Sequence, residues 1–342
     1  MTDDTMAVGA APAEPVPSRP TAPWPGRRLA LLFVVTVVLV VAHSQDILGR
    51  YIELQATWPD PEFGRWAHPE PLSFAWVAIR VFLVTLLAAL PALTVLGAVG
   101  RRNGVPVSAV LTATFAGFIV IAFLGAGAPL LVRAIIGMQD PTGTPASPAT
   151  FLVTPVVEEL LKLLAILIVV AWTRLRIGTR GGLVLGAAVG IGVTVEESVG
   201  YSLVELVQRD DVNYLITIAL RFALLGAGAH ASTAALSGAG LGTWLSRRGN
   251  RRGGAVFLAG AVTLAMLTHG AWNRFSEMAA LAVIDALRMD PGQPAVAFLV
   301  ASLAAVPFLL IPWIVLAVAW RRGAAPPPDD ATVNAGRGAL PG

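Results

Sequence analysis

The chain has 342 residues, of which 56% are hydrophobic and 13% charged, with a mean hydropathy of +0.72 and a formal charge of +3. Soluble domains carry about a quarter of charged residues and could not hide this much apolar surface, so a soluble enzyme or binding module is excluded. The absence of cysteine excludes disulfides, thiol nucleophiles and thiolate metal sites, and no patch suited to nucleic acid is present.

In chain order, residues 1–26 are rich in Pro and Ala, have no helical period, and are expected to form a disordered cytoplasmic tail. Eight apolar runs follow, near 29–48, 74–99, 105–126, 150–172, 181–207, 219–245, 254–275 and 296–320, each close to the roughly 20 residues needed to cross about 30 Å of hydrocarbon. Arg27 and Arg28 before the first run resemble the start of a signal peptide. No small-x-small cleavage site follows, so the run is read as a retained helix. The segment 49–73, with Trp58, Trp66 and several prolines, suits an interfacial loop. Residues 323–342, with Pro326, Pro327 and Pro328, read as a second disordered tail. The expected organisation is an all-α transmembrane bundle over 27–322, multi-pass in the cell membrane.

Charge placement supports this arrangement. Alternate connections hold Arg19, Arg27 and Arg28; Arg101 and Arg102; Arg174, Arg176 and Arg180; Arg247, Arg248, Arg251 and Arg252; and Arg321, Arg322 and Arg337, together 15 of the 24 basic residues. The remaining connections hold isolated arginines, usually beside acids such as Asp60, Asp210 and Asp290. The positive-inside rule then predicts both termini in the cytoplasm.

Charged groups inside the spans point to chemistry. The fourth span holds Glu158, Glu159 and Lys162, the fifth Glu196 and Glu197, the sixth His230, and the seventh His269 with Asn273. A charge at the centre of a membrane helix costs about 2.5–3.5 kcal/mol, so these groups must face the bundle interior, pair, or be neutral. At about 1.5 Å per residue, Glu158, Glu197, His230 and His269 all lie roughly 23 Å from the cytoplasmic ends of their helices. Taken singly, each is also what a packed bundle would show: a stabilising acid pair, or a histidine bonded to a carbonyl. The shared level on four consecutive antiparallel helices is not expected of scattered structural groups. Lys162 can pair with Glu158 (i,i+4) or Glu159 (i,i+3), which leaves one acid available as a general base. Pro155 is read as a helix start or kink. His269 and Asn273, i,i+4, share a face. Glu196 lies about 100° around the helix from Glu197 and reads as a support. Glycines at four-residue spacing, Gly182, Gly186 and Gly190 in one helix and Gly226, Gly238 and Gly242 in another, read as close-packing stripes.

Four motifs stand in order: Glu158-Glu159-Leu160-Leu161-Lys162; Gly190-Ile191-Gly192 through Glu196-Glu197-Ser198 to Tyr201; Arg221 through His230; and His269-Gly270-Ala271-Trp272-Asn273. Together, over about 150–275, they resemble the PrsW family of intramembrane proteases, distant relatives of the CAAX prenyl endopeptidase and bacteriocin-processing proteases. Val193 stands where the family has an aromatic residue, and Ser198 where it has an asparagine. The resemblance implies cleavage of membrane-anchored proteins, including anti-sigma-type regulators, near the extracytoplasmic side. It implies Glu158 as the base that activates water, Glu159 paired with Lys162, and Asn273 at the oxyanion. His230 and His269 either bind a divalent metal such as Zn2+ together with Glu197 or polarise the carbonyl directly. The other protease signatures fit worse: His230 is followed by Ala231, not by the H-E-x-x-H run, and no aspartate lies within the four motif-bearing spans. The competing class is a proton- or ion-coupled transporter using the same Glu/His cluster, although no internal repeat is evident.

Overall fold

The computed structural model describes residues 25–57, 71–125, 127–135, 148–209, 215, 218–219, 221–222, 229–247, 250–287 and 294–322. Residues 1–24 and 323–342 of the expected tails and 58–70 of the expected loop, with Trp58, Trp66 and His68, lie outside these residues, whereas 49–57 and 71–73, read as loop, are helical. Among the described residues there is no strand. The helices are α1 (Pro25–Thr57), α2 (Pro71–Arg102), α3 (Val107–Leu124), α4 (Gly127–Ile135), α5 (Pro148–Thr173), α6 (Thr179–Arg209), α7 (Ala229–Ser246), α8 (Arg251–Leu287) and α9 (Pro294–Arg322).

Among the described residues, five helices are long and apolar enough to cross a membrane, over Gly26–Arg50, Pro71–Arg102, Val107–Leu124, Thr179–Val204 and Arg251–Ser276. The chain is thus a multi-pass helical membrane protein. α5 also reaches membrane length but carries the three charges of Glu158, Glu159 and Lys162, and α7 is diluted by glycine, serine and threonine. α4 is a nine-residue helix within the connection between the expected third and fourth spans. Its residues Ala128 and Val132 pack against a small apolar cluster that includes Val153 and Val157 of α5.

Local chemistry explains the tight turns. α2 ends because Gly104 takes a left-handed φ of 75°, which lets Val105 N–H reach back to the Gly100 carbonyl at 2.9 Å. Pro106, which has no N–H to offer, then precedes α3. α8 starts under a cap: Asn250 Oδ1 accepts the Gly253 N–H at 2.9 Å. At the arginine-rich end, Arg180 donates to the Trp320 carbonyl at 2.9 Å and stacks on that indole, tying α6 to α9. Arg28 of α1 sits 6.0 Å over the Trp172 ring of α5.

α6 is the axis of the bundle and touches α1, α2, α3, α5, α7 and α9. Its closest partner is α7. A Cβ on Gly182, Gly186 or Gly190 would overlap the carbonyl oxygens of Gly238, Ala234 and His230 in turn. The two backbones therefore pass in direct contact, which is the use expected for the glycine stripes. The expected stripe member Gly226 lies outside the described residues. The contact between Gly190 and His230 also fixes the height of the His230 backbone against α6. Pro155 lies inside α5, seven residues after the helix begins at Pro148, so it is not the helix start. The positive helix end therefore does not lie beside Glu158.

Candidate active site

The site is assembled from one polar turn on each of α5, α6, α7 and α8, with Arg221 added from the segment between α6 and α7. Glu158 and Glu159 are adjacent in α5 but are used differently. Glu159 is fully buried, and its Oε1 accepts three hydrogen bonds: from Lys162 Nζ at 2.6 Å, from Thr233 Oγ1 at 2.9 Å and from His269 Nδ1 at 2.9 Å. One carboxylate oxygen thus joins α5, α7 and α8. Glu158 retains 14% exposure, and its Oε2 is buried with no hydrogen-bond partner. His269 Nε2 is 3.6 Å from it, beyond hydrogen-bonding distance.

Lys162, also fully buried, extends the network from Glu159 to His230 Nδ1 at 2.9 Å. The other ring nitrogen of His230, Nε2, lies 2.9 Å from Glu197 Oε2 on α6. Arg221 Nη2 donates to that same Glu197 oxygen at 2.6 Å. The guanidinium is itself held: its Nε donates to Ser198 Oγ at 3.0 Å, and its carbon lies 4.6 Å over the Tyr201 ring. The two imidazoles meet edge to face with centroids 5.1 Å apart.

The structure therefore brings Glu158, Glu159, Lys162, Glu197, His230 and His269 into one cluster. Asn273 is half-buried one turn beyond His269 and makes no hydrogen bond among the described residues. Glu196 is half-buried and also stands outside the hydrogen-bond network. The ligand set expected from sequence was Glu197, His230 and His269. The three residues whose donor atoms all lie within 4.8 Å of one another are instead Glu158, His230 and His269. Glu197 sits on the far side of His230, where Arg221 and the His230 ring occupy its Oε2.

This donor set fits a divalent metal. Two histidines and a carboxylate are a normal catalytic zinc shell, and tetrahedral ligands at about 2.0–2.2 Å from zinc stand roughly 3.3 Å apart. The 3.6 Å between Glu158 Oε2 and His269 Nε2 is close to that separation. A carboxylate oxygen buried without a donor is what an ion would satisfy. The bond from His269 Nδ1 to Glu159 is the outer support that metal-ligating histidines usually have.

Residues 73–311, more than two thirds of the chain, match the family described as PrsW family intramembrane metalloprotease. The chain belongs to the PrsW family. It is accordingly a peptidase of the membrane interior, acting on membrane-embedded protein substrates. No curated protein and no solved structure matches the chain. The matched region extends well beyond the 150–275 stretch that carries the motifs, so the flanking apolar helices belong to the family architecture as well.

Three groups escaped the sequence reading as site members. Thr233 lies one turn after His230 in a helix of small residues, and its polarity in that setting was the available signal. Arg221 was legible only as a motif match. Its function could not be read because Glu197 lies 24 residues away on another helix. Ser198 was read as a replacement for asparagine, without its role as acceptor for the arginine.

Proposed function

We propose that the PrsW-family chain hydrolyses a peptide bond of a membrane-anchored regulatory protein, of the anti-sigma kind, near the extracytoplasmic side of the cell membrane. Glu158 is the base. The observation that carries this assignment is the contrast between the paired acids of α5. Glu159 is closed to solvent, with three donors on its Oε1 and its Oε2 buried without a partner, whereas Glu158 is partly open, and its unpartnered Oε2 lies beside His269 Nε2.

Glu158, His230 and His269 would hold a divalent ion, Zn2+ in this proposal, which when bound supplies Lewis acidity to the scissile carbonyl and the attacking water. Glu158 offers Oε2 as the ligand atom and leaves its second oxygen to accept the proton of the attacking water. The water oxygen bonds to the carbonyl carbon, the C–N bond breaks, and the proton passes from Glu158 to the leaving amine. Asn273, half-buried and with no competing hydrogen bond among the described residues, would donate its amide to the developing oxyanion. Glu159, Lys162 and Thr233 hold the two imidazoles in place.

The test is membrane proteomics of cells carrying the wild-type chain or Glu158→Gln at equal expression. A membrane-protein fragment produced only by the wild type identifies the substrate and its cut position. The same fragment at the same level with both forms rejects the base assignment. Metal content of the purified chain, measured before and after chelation, tests the zinc assignment separately.

A further inference from the structure

We propose that Arg221 is a positioning residue that pins the His230 ring through Glu197, so that the two site imidazoles turn opposite ring nitrogens to their carboxylates. The inference builds on the site described above as that of a peptidase, and it divides the histidines into two roles that the sequence does not separate.

The tautomers follow from the partners. A lysine ammonium has only donors. Lys162 Nζ is paired with Glu159 Oε1 at 2.6 Å and also lies 2.9 Å from His230 Nδ1, so Nδ1 must supply a lone pair. The ring proton of neutral His230 is then on Nε2, which donates to Glu197 Oε2 at 2.9 Å. For His269 the logic reverses. Its Nδ1 faces the Glu159 carboxylate at 2.9 Å and donates to it, while Nε2 is turned toward Glu158 at 3.6 Å. His269 Nε2 is thus not tied by a hydrogen bond. His230 is tied at both nitrogens and offers a lone pair to an ion only when one of those bonds is released.

The bond from His230 to Glu197 is only as fixed as Glu197 itself. Arg221 supplies that fixation. It is 12% exposed, and three contacts on one short stretch of α6 set its orientation: Nη2 to Glu197 at 2.6 Å, Nε to Ser198 Oγ at 3.0 Å, and the stacking on Tyr201. Glu197, Ser198 and Tyr201 lie within about one helical turn, so a single planar guanidinium reads all three. A lysine in its place could keep the charge beside Glu197 but has no fork to span carboxylate and hydroxyl together.

The chain has four histidines, which makes ring-15N labelling of histidine a resolvable experiment on the full-length protein in nanodiscs, stripped of metal by chelator and without substrate. His230→Asn and His269→Asn each remove one ring and assign the signals. The expected result is a protonated Nε2 for His230 and a protonated Nδ1 for His269. In Arg221→Met the His230 Nε2 signal shifts and broadens as its bond to Glu197 loosens, Nδ1 stays the acceptor of Lys162, and the pattern of His269 is kept. Arg221→Lys retains part of the His230 pattern. Finding both rings in the same tautomer, or His230 unchanged in Arg221→Met, overturns the proposal. Should Arg221→Met not yield folded protein, Ser198→Ala removes only the acceptor for Nε, and broadening confined to His230 is expected; an unaltered His230 again overturns it. Because no metal or substrate is involved, opposite tautomers in a chain that cleaves nothing would leave this inference standing and reject the proposed function.

Discussion

The interior and the rim of this bundle are built from helices of similar length and opposite use. In an apolar 18-residue window of each span, 83% of residues are buried in α6 (Thr179–Val204), against 28% in α1 and α8 and 33% in α2. The rim exposes Leu31, Val34, Leu87, Val256 and Leu267, suited to lipid, and the ion pair Asp46–Arg50 is exposed on α1. The interior spends its small residues on backbone contact between α6 and α7 and places its charges where four helices enclose them. A charged residue in a membrane helix is therefore informative only together with the burial of its own face. α8 shows both regions at once, since exposed Leu267 is two residues from buried His269.

The contrast can be broken most visibly at the acids. Glu158→Gln should lower cleavage by about 10²–10⁴-fold, the usual contribution of a positioned general base, with the fold kept. Asp46→Asn on the rim should leave cleavage and stability nearly unchanged, because exposed pairs are worth about 0.2–1 kcal/mol. A fluorogenic peptide or the natural substrate reports the first, and thermal unfolding in detergent the second. Equal loss at both positions would mean that position relative to the interior cluster does not matter.

Glu159→Gln comes next. It replaces the carboxylate that receives Lys162, Thr233 and His269 and leaves the fully buried lysine without its counter-ion. Breaking a buried pair from one side costs about 3–5 kcal/mol, so a large fall in unfolding temperature is expected. A Glu159→Gln, Lys162→Met double variant, which removes both charges, should recover much of it. No recovery would show that the pair is not the reason the acid is needed.

Backbone contact gives a smaller effect. Gly190→Ala drives a Cβ into the His230 carbonyl and against Ala231, and overpacking of this kind costs about 1–3 kcal/mol. It also displaces the strand of the network that carries His230, so activity should fall along with stability. Gly260→Ala, on the exposed side of α8 with nothing within 4 Å, should be neutral or gain up to about 1 kcal/mol from helix propensity. Equivalent melting curves for the two variants would contradict the close passage of α6 and α7.

How much of this was legible in the sequence follows from the range of each interaction. Apolar runs and arginine placement are local and long, so the helical membrane class was readable. The level of Glu158, Glu197, His230 and His269 was readable because helix rise is constant. Which atoms meet was not, because rotation about each helix axis is set by partners elsewhere in the chain. The acid grouped with the two imidazoles illustrates this: spacing gave no reason to prefer Glu158 over Glu197, and only the arrival of Arg221 shows why Glu197 is turned away. Of the helix start or kink read at Pro155, the start failed for a related reason. Proline suits the first turn of a helix, but a membrane helix surrounded by others tolerates it inside.

The smallest expected effect tests how far the interior network is shared. Thr233→Val keeps the shape of the side chain and removes only the hydroxyl that donates to Glu159 Oε1 at 2.9 Å. Hydrogen bonds between membrane helices are worth about 0.6 kcal/mol on average and at most about 1.7, and Glu159 keeps its bonds from Lys162 and His269. Stability should therefore drop by about 0.6 kcal/mol, and cleavage, if it follows the positioning of His269 alone, by no more than about threefold. The rim control is Thr94→Val, whose hydroxyl bonds only the Leu90 carbonyl of its own helix and should register less still. A loss in Thr233→Val approaching that of Glu159→Gln would show that the threonine, not the lysine, orients the carboxylate, and that the interior holds its acid by geometry more than by charge.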